Sequence, residues 1–319
     1  MTYLRLSSLA GALVCLLLFD RLAQAEIIYG TGLTGIYSVD PSTRVSTELF
    51  DLSTWSPGGV AWDSGGNAMA YDSAANQLIF SERNGTRLAT YNVGTGATAV
   101  IANLDSFASL TSQISDGTTT LKLASSGMFY NNIYYFTVEN MDGNGIQNSR
   151  MFWASLNSSH NSVTSIGNVS FGGGNPFLGD FGDMAITNGG TVYASSTDHG
   201  AGGSITGVWK FNLANTAAGI TVLDSTAAST QLAFDHDGVT LYAHHAGSAD
   251  FGTINLATGA YTNSGALTGD TNYLSDLSES FTAVPEPSSL GLTGLGLALA
   301  ARRNRRQAVP SGLADMAVA

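Results

Sequence analysis

The feature that most constrains this chain is a phrase that recurs five times. It reads strand, short polar turn, strand: "IYSVDPSTRVST" (36–47), "LATYNVGTGATA" (88–99), "MFWASLNSSHNSVT" (151–164), "VWKFNLANTAAGIT" (208–221) and "FGTINLATGAYT" (251–262). Apolar and polar residues alternate near period two, break at a turn, and resume in Thr- or Val-rich sequence, the pattern of a hairpin with one buried face. A second phrase precedes each copy: "QLIFSER" (77–83), "NIYYFTVE" (132–139), "TVYASST" (191–197) and "TLYAHHA" (240–246), with "EIIYG" (26–30) in the first slot. Its aromatic and β-branched residues suit central strands. A third phrase comes before the second: "AMAYDSAAN" (68–76), "GMFYNN" (127–132), "DMAITNGG" (183–190) and "QLAFDHDG" (231–238). These copies end in Asn, Asp and Gly, which tolerate positive φ in tight hairpins. The first copy has no such strand before it, and "YLSDLSESF" (273–281) stands in from the other end of the body.

Four-stranded units repeating every 43 to 63 residues predict an all-β fold, a β-propeller. The count gives about five four-stranded blades, closed by mutual pairing of N- and C-terminal strands, which removes exposed sheet edges. Six blades are the alternative, with short strands in 106–126 and between Phe50 and Asn67; a β-sandwich or β-helix is the other. Residues 26–283 resemble secreted β-propeller proteins whose blades carry a D/N-x-x-T-G hairpin. The resemblance implies the fold. Propellers host lyases, lactonases, dehydrogenases and binding proteins, so it implies no single activity.

The two ends read as addresses. Residues 1–25 carry Arg5, an apolar run from Leu9 to Phe19 and an Ala23-Gln24-Ala25 ending, the layout of a signal peptide cleaved after Ala25. Cys15, the only cysteine, lies in that run between Val14 and Leu16, which excludes a lipidation site. The mature body then has no disulfide, thiol nucleophile or cysteine-held zinc. At the other end, "VPEPSSLGLTGLGLALAARRNRR" (284–306) joins a Pro-Glu-Pro triplet, an apolar run and four arginines. The twelve residues from Leu290 to Ala301 predict one short hydrophobic helix of about 18 Å, too short for a ~30 Å hydrocarbon core. This segment resembles the PEP-CTERM sorting signal of Gram-negative and related bacteria. The resemblance implies recognition of Pro285, Glu286 and Pro287 by an exosortase. It also implies transient membrane contact through the helix, with Arg302, Arg303, Arg305 and Arg306 on the cytoplasmic side. Delivery to the cell surface or beyond follows, often with exopolysaccharide or biofilm production. Residues 307–319 form an extension that the family usually lacks.

Between Glu26 and Ala283 there are six Lys and Arg against 21 Asp and Glu, a net charge of −15. Such a body repels phosphate backbones, so no nucleic-acid partner is expected.

Chemical motifs are sparse. "GTGLTG" (30–35) satisfies G-x-G-x-x-G but leads into a strand, not the helix a pyrophosphate site needs. "MDGNGIQNS", with Asp142, Asn144 and Gln147, opens like a calcium loop, but Ile146 and the missing closing glutamate make it a polar strand connection. No cofactor is expected, a divalent metal such as Ca2+ being the alternative. The histidines are His160, His199, His236, His244 and His245. Asp183, His199 and His244 are the candidate metal or acid–base set. His236 falls in a turn, and His244 and His245 must point to opposite faces of one strand. Asp183 and Asp276 occupy matching slots in "DMAIT" and "SDLSES", a repetition that blade geometry explains better than chemistry does. Trp55 is the candidate for stacking on a sugar ring, whereas Trp62, Phe171 and Phe177 are expected to fill gaps between blades. The chain therefore reads as an exported glycan- or protein-binding propeller without enzymatic activity. The alternative is a secreted hydrolase or lyase acting on polysaccharide or lactone.

Overall fold

The computed structural model describes residues 26–107, 121–141, 147–172, 180–197, 205–226, 230–245 and 247–278. The chain divides into two units, Met1–Phe281 and Thr282–Ala319, and every described residue belongs to the first. The signal peptide, the sorting tail and its expected helix lie outside the described residues.

The body is all-β. Blade 1 contains β1 (Ile28–Thr31), β2 (Gly35–Asp40) and β3 (Val45–Asp51). Blade 2 is β4 (Gly66–Asp72), β5 (Gln77–Glu82), β6 (Arg87–Asn92) and β7 (Thr98–Asn103); blade 3 is β8 (Leu121–Tyr130), β9 (Ile133–Met141), β10 (Gln147–Leu156) and β11 (Val163–Asn168). Blade 4 is β12 (Asp180–Ile186), β13 (Thr191–Thr197), β14 (Gly207–Asn212) and β15 (Thr221–Asp224); blade 5 is β16 (Thr230–Phe234), β17 (Leu241–His245), β18 (Asp250–Ile254) and β19 (Tyr261–Ala266). The chain then returns to blade 1 through β20 (Thr268–Gly269) and β21 (Asp276–Ser278). Strand β21 pairs antiparallel with β1, Tyr29 opposite Ser278 and Thr31 opposite Asp276. The ring is a five-bladed propeller closed by its first and last strands, as the repeats predict.

The turns follow from the recurring Asp or Asn. Asp40 Oδ1 accepts the Ser42 amide at 2.8 Å, Asn92 Oδ1 that of Thr95 at 2.9 Å, and Asn255 Oδ1 that of Ala257 at 2.9 Å. Asn157 and Asn212 do the same for Asn161 and Ala214. Each side chain satisfies an amide that the hairpin leaves free. The residues that then turn the chain back have positive φ: Arg44, Gly96, His160, Gly219 and Gly259.

Each blade is apolar on both faces, because both faces pack on a neighbour. The core accordingly falls into five clusters, one per blade interface. Ile79, Leu88 and Tyr134 meet between blades 2 and 3; Met151, Met184 and Trp209 between 3 and 4; Ile36, Leu52 and Phe80 between 1 and 2. Ile28, Val39, Phe251 and Leu277 join blades 5 and 1, and Val208, Phe234 and Leu241 join 4 and 5.

Two details depart from the sequence reading. Strand β8 starts at Leu121, six residues before the phrase "GMFYNN", and belongs to blade 3, and the segment between Phe50 and Asn67 holds a single 3-10 turn, Pro57–Gly59, so the described residues of neither segment form a sixth blade. Strand β20 was not expected. It pairs parallel with β3 on the outer edge of blade 1, where Ser46 Oγ donates to Thr268 O at 2.9 Å. It caps an edge that would otherwise present unpaired backbone groups.

Because Leu277 is fully buried in the closing strand, Leu277→Ala is expected to lower stability by about 2–5 kcal/mol. Denaturant unfolding measures this. A change within error would show that β21 does not carry the ring's closure.

Candidate functional site

The innermost strand of each blade has one edge facing the axis, with backbone N–H groups that no neighbouring strand can satisfy. The strand register puts a polar residue at one level of each inner strand. Asn67 pairs with Ser81, Asp183 with Ser195, Gln231 with His244 and Asp276 with Thr31. In blade 3, Ser126 takes this place, just before Gly127, which pairs with Phe136. Breaks in register occur here in β4, β8 and β12; such bulges re-aim the backbone. All five inner residues are buried. The arrangement is a polar layer across the axis.

Two carboxyls dominate it. Asp183 Oδ1 accepts the Met184 amide at 2.6 Å, and Oδ2 accepts those of Leu232 at 2.8 Å and Leu277 at 3.2 Å. Asp276 Oδ1 accepts the same Leu277 amide at 3.0 Å, and its Oδ2 accepts the Met69 amide. The two carboxyls are also hydrogen-bonded to each other. Burial away from water pushes both above the ordinary carboxylate range, and the neighbouring Asp183 charge raises Asp276 further. The pair therefore holds a proton between its members. Blades 1, 2, 4 and 5 are stitched by this one group. Blade 3 joins through Tyr134, whose buried hydroxyl donates to Ala68 O, and through Gly127, where a Cβ would lie 2.3 Å from Ala68 O.

His244 is equally occupied. Its Nε2 accepts the Leu274 amide at 3.2 Å, so Nδ1 carries the hydrogen and donates to Asp250 O at 3.1 Å. Burial lowers it to about 4, and it stays neutral at pH 7. His245 lies on the opposite face and is half-buried, and His236 is exposed in its turn. Asp183 and His244 thus serve separate hydrogen-bond sets. Among the described residues no three His, Cys, Asp or Glu side chains gather as a metal cluster. His199, Asp142, Asn144 and Phe177 lie outside the described residues, as do Ala23, Ala25 and the tail residues Pro285, Glu286, Pro287, Arg302, Arg303, Arg305 and Arg306.

Trp55 sits half-buried at the rim of an aromatic cluster, with ring centroids 4.8 Å from Trp62 and 5.8 Å from Phe50. Trp62 is buried and donates its indole N–H to Gly65 O at 2.8 Å. Phe171 is buried between blades 3 and 4. A second set, which the sequence reading passed over, pins this loop. The buried Glu82 carboxylate accepts the Asp63 amide at 3.2 Å and pairs with Arg87, whose Nη2 donates to Ala61 O at 2.6 Å and whose guanidinium lies over Trp62. His160 pairs with the buried Asp72, tying blade 3 to blade 2.

The fold defines the class: a five-bladed β-propeller. Residues 283–306 match the PEP-CTERM protein-sorting motif, which marks an exported protein sorted to the cell surface and implies processing by an exosortase. No curated protein matches the chain. Solved structures with a similar fold include a nidogen/laminin complex, at 7% identity and TM-score 0.46, covering 80% of this chain and 96% of that one. Another is the soluble aldose sugar dehydrogenase of Escherichia coli in its apo form (13%, TM-score 0.40, 61% of each chain). A third is TolB of Acinetobacter baumannii (11%, TM-score 0.41, 77% of this chain and 52% of that one).

The buried pair makes stability depend on pH with a definite sign. The folded state holds a proton that the unfolded chain releases near pH 4, so this contribution weakens as pH rises from there. His244 acts in the opposite sense, its contribution being lost as pH falls from about 6.5 towards 4. Above about pH 7, where His244 is neutral in both states, wild type is expected to lose stability with rising pH relative to Asp276→Asn, which keeps a neutral donor in place of the shared proton. Urea midpoints across that range check this, and parallel profiles would contradict a shared proton.

Proposed function

We propose that this chain is an exported surface protein whose propeller binds an extracellular glycan or surface protein and catalyses no reaction of its own. What supports this reading is the state of the axis. Its two carboxyls are buried, bonded to each other and supplied with main-chain amides. A general acid or base must reach a substrate proton, and these groups face only the backbone that they join. His244 is likewise spent on Leu274 and Asp250. Binding falls to the surface loops, of which 52–65 presents half-buried Trp55 beside exposed Val60.

Export uses both ends of the chain. The signal peptide is removed after Ala25. The tail then stalls in the membrane with its arginines on the cytoplasmic side, and an exosortase reads Pro285, Glu286 and Pro287. Intact mass of the surface form is expected to show a chain that begins at Glu26 and lacks the arginine cluster, with Glu286→Ala blocking tail removal. A surface form that retains residues 284–319 would contradict the sorting reading.

Ligand class has its own experiment. Processed protein recovered from cells, applied to a glycan array and to a panel of polysaccharide and lactone substrates, is expected to bind without turnover. Trp55→Ala is expected to weaken glycan binding at least several-fold while leaving the fold intact. Turnover that survives Asp183→Asn and Asp276→Asn would favour a hydrolase or lyase whose site lies away from the axis.

A further inference from the structure

The bend between β5 and β6 is built unlike the Asx hairpins. Residues 83–86 link Glu82 to Arg87, whose side chains pair, and Glu82 Oε2 also accepts the Arg87 amide at 3.3 Å. Arg83, Gly85 and Thr86 are each fixed in place. The Arg83 amide donates to Gly65 O at 3.3 Å, and its guanidinium lies over the Tyr273 ring. Thr86 O accepts the Leu104 amide at 2.9 Å, and its hydroxyl lies 2.9 Å from Asn103 Oδ1 and 3.0 Å from Asp105 Oδ2. Gly85 sits so close to Glu82 that a Cβ would fall 2.2 Å from Oε2. Asn84 is the one exposed residue of the bend, and among the described residues no hydrogen bond occupies its side chain.

Asn84-Gly85-Thr86 has the N-x-T form of an N-glycosylation acceptor, which an exported protein carries on a surface loop. The N-x-S form occurs twice in the body, at Asn157-Ser158-Ser159 and Asn168-Val169-Ser170. There the fold uses the asparagine. Asn157 Nδ2 donates to Asn161 Oδ1 at 2.8 Å, and its Oδ1 accepts the Asn161 amide at 3.0 Å, so this side chain shapes the blade 3 turn. Asn168 ends β11 opposite Phe152, and its side-chain oxygen is buried. A bulky, hydrated sugar would displace the Asn161 bonds at the first position and would have no room at the second.

We propose that Asn84 is an N-glycosylation site, which receives an oligosaccharide from a lipid-pyrophosphate donor once the folded body is outside the cytoplasm. This inference rests on the export reading above. In the transfer a bond forms between Asn84 Nδ2 and sugar C1. The bond from C1 to the donor's pyrophosphate breaks, one amide proton leaves, and the lipid pyrophosphate departs with no change of oxidation state. The bend suits this step. The Asn84 amide is free to turn towards a transferase, the next residue has no side chain, and the Thr86 hydroxyl two positions on is half-exposed. The fixed flanks then keep the finished glycan outside the blade.

The full-length chain is expressed in its own host, and the surface form is read by intact mass and by mass spectrometry of the peptide that contains Asn84. The expected result is an excess mass of a whole oligosaccharide, carried on Asn84. Asn84→Gln and Thr86→Ala are expected to abolish the excess, whereas Thr86→Ser, Asn157→Gln and Asn168→Gln keep it. A surface form with the mass of the bare polypeptide, or shifted only by deamidation, overturns the site while leaving export intact. Sugar that survives Asn84→Gln does the same. A chain found only in the cytoplasm overturns the export reading, and the site with it.

Discussion

Five strand edges meet at the axis of this ring, and each brings backbone amides that no sixth element can pair. A buried amide without an acceptor costs about 1–3 kcal/mol. Asp183 and Asp276 meet that demand with carboxyl oxygens, collecting the amides of Met69, Met184, Leu232 and Leu277 from four blades. The Leu277 amide lies within hydrogen-bonding distance of both carboxyls. The last described strand is thus bonded to the centre through Leu277 and Asp276, and it pairs with β1 in the register that sets Thr31 opposite Asp276.

That solution constrains the chemistry open to the protein. Carboxyls that join the ring are not exposed to act on a substrate, and their proton is shared between them. The neutral members of the layer behave differently. Asn67 Oδ1, Ser126 Oγ and Gln231 Oε1 are buried and accept no hydrogen bond from the described protein atoms; polar atoms of this kind in folded proteins hold ordered water. Among the described residues the axis is a buried polar layer inside five apolar interfaces.

The fold was legible in the sequence because its physics is local and repeated. Period-two alternation, Asn and Asp at the hairpins, and the displaced strand near Asp276 each depend on a few neighbouring residues. The matching slots of Asp183 and Asp276 were visible as well, and the structure puts them on inner strands β12 and β21, opposite Ser195 and Thr31. Their direct contact was not legible, since it depends on how blades 1 and 4 approach each other across the axis. The roles of His244 and Glu82 were hidden for the same reason: the partners Leu274 and Asp63 belong to connections with no repeat. Strand β20 escaped notice because two residues carry no periodicity.

The central claim is that the axial carboxyls bind the blades into one cooperative unit. Native-state hydrogen exchange of the Met69, Leu232 and Leu277 amides tests it most directly. If the claim holds, these amides exchange only through global unfolding and share its free energy, and Asp183→Asn lowers all three together. Exchange at the fast, local rates of the outer strand β19, with no common response to Asp183→Asn, would contradict it.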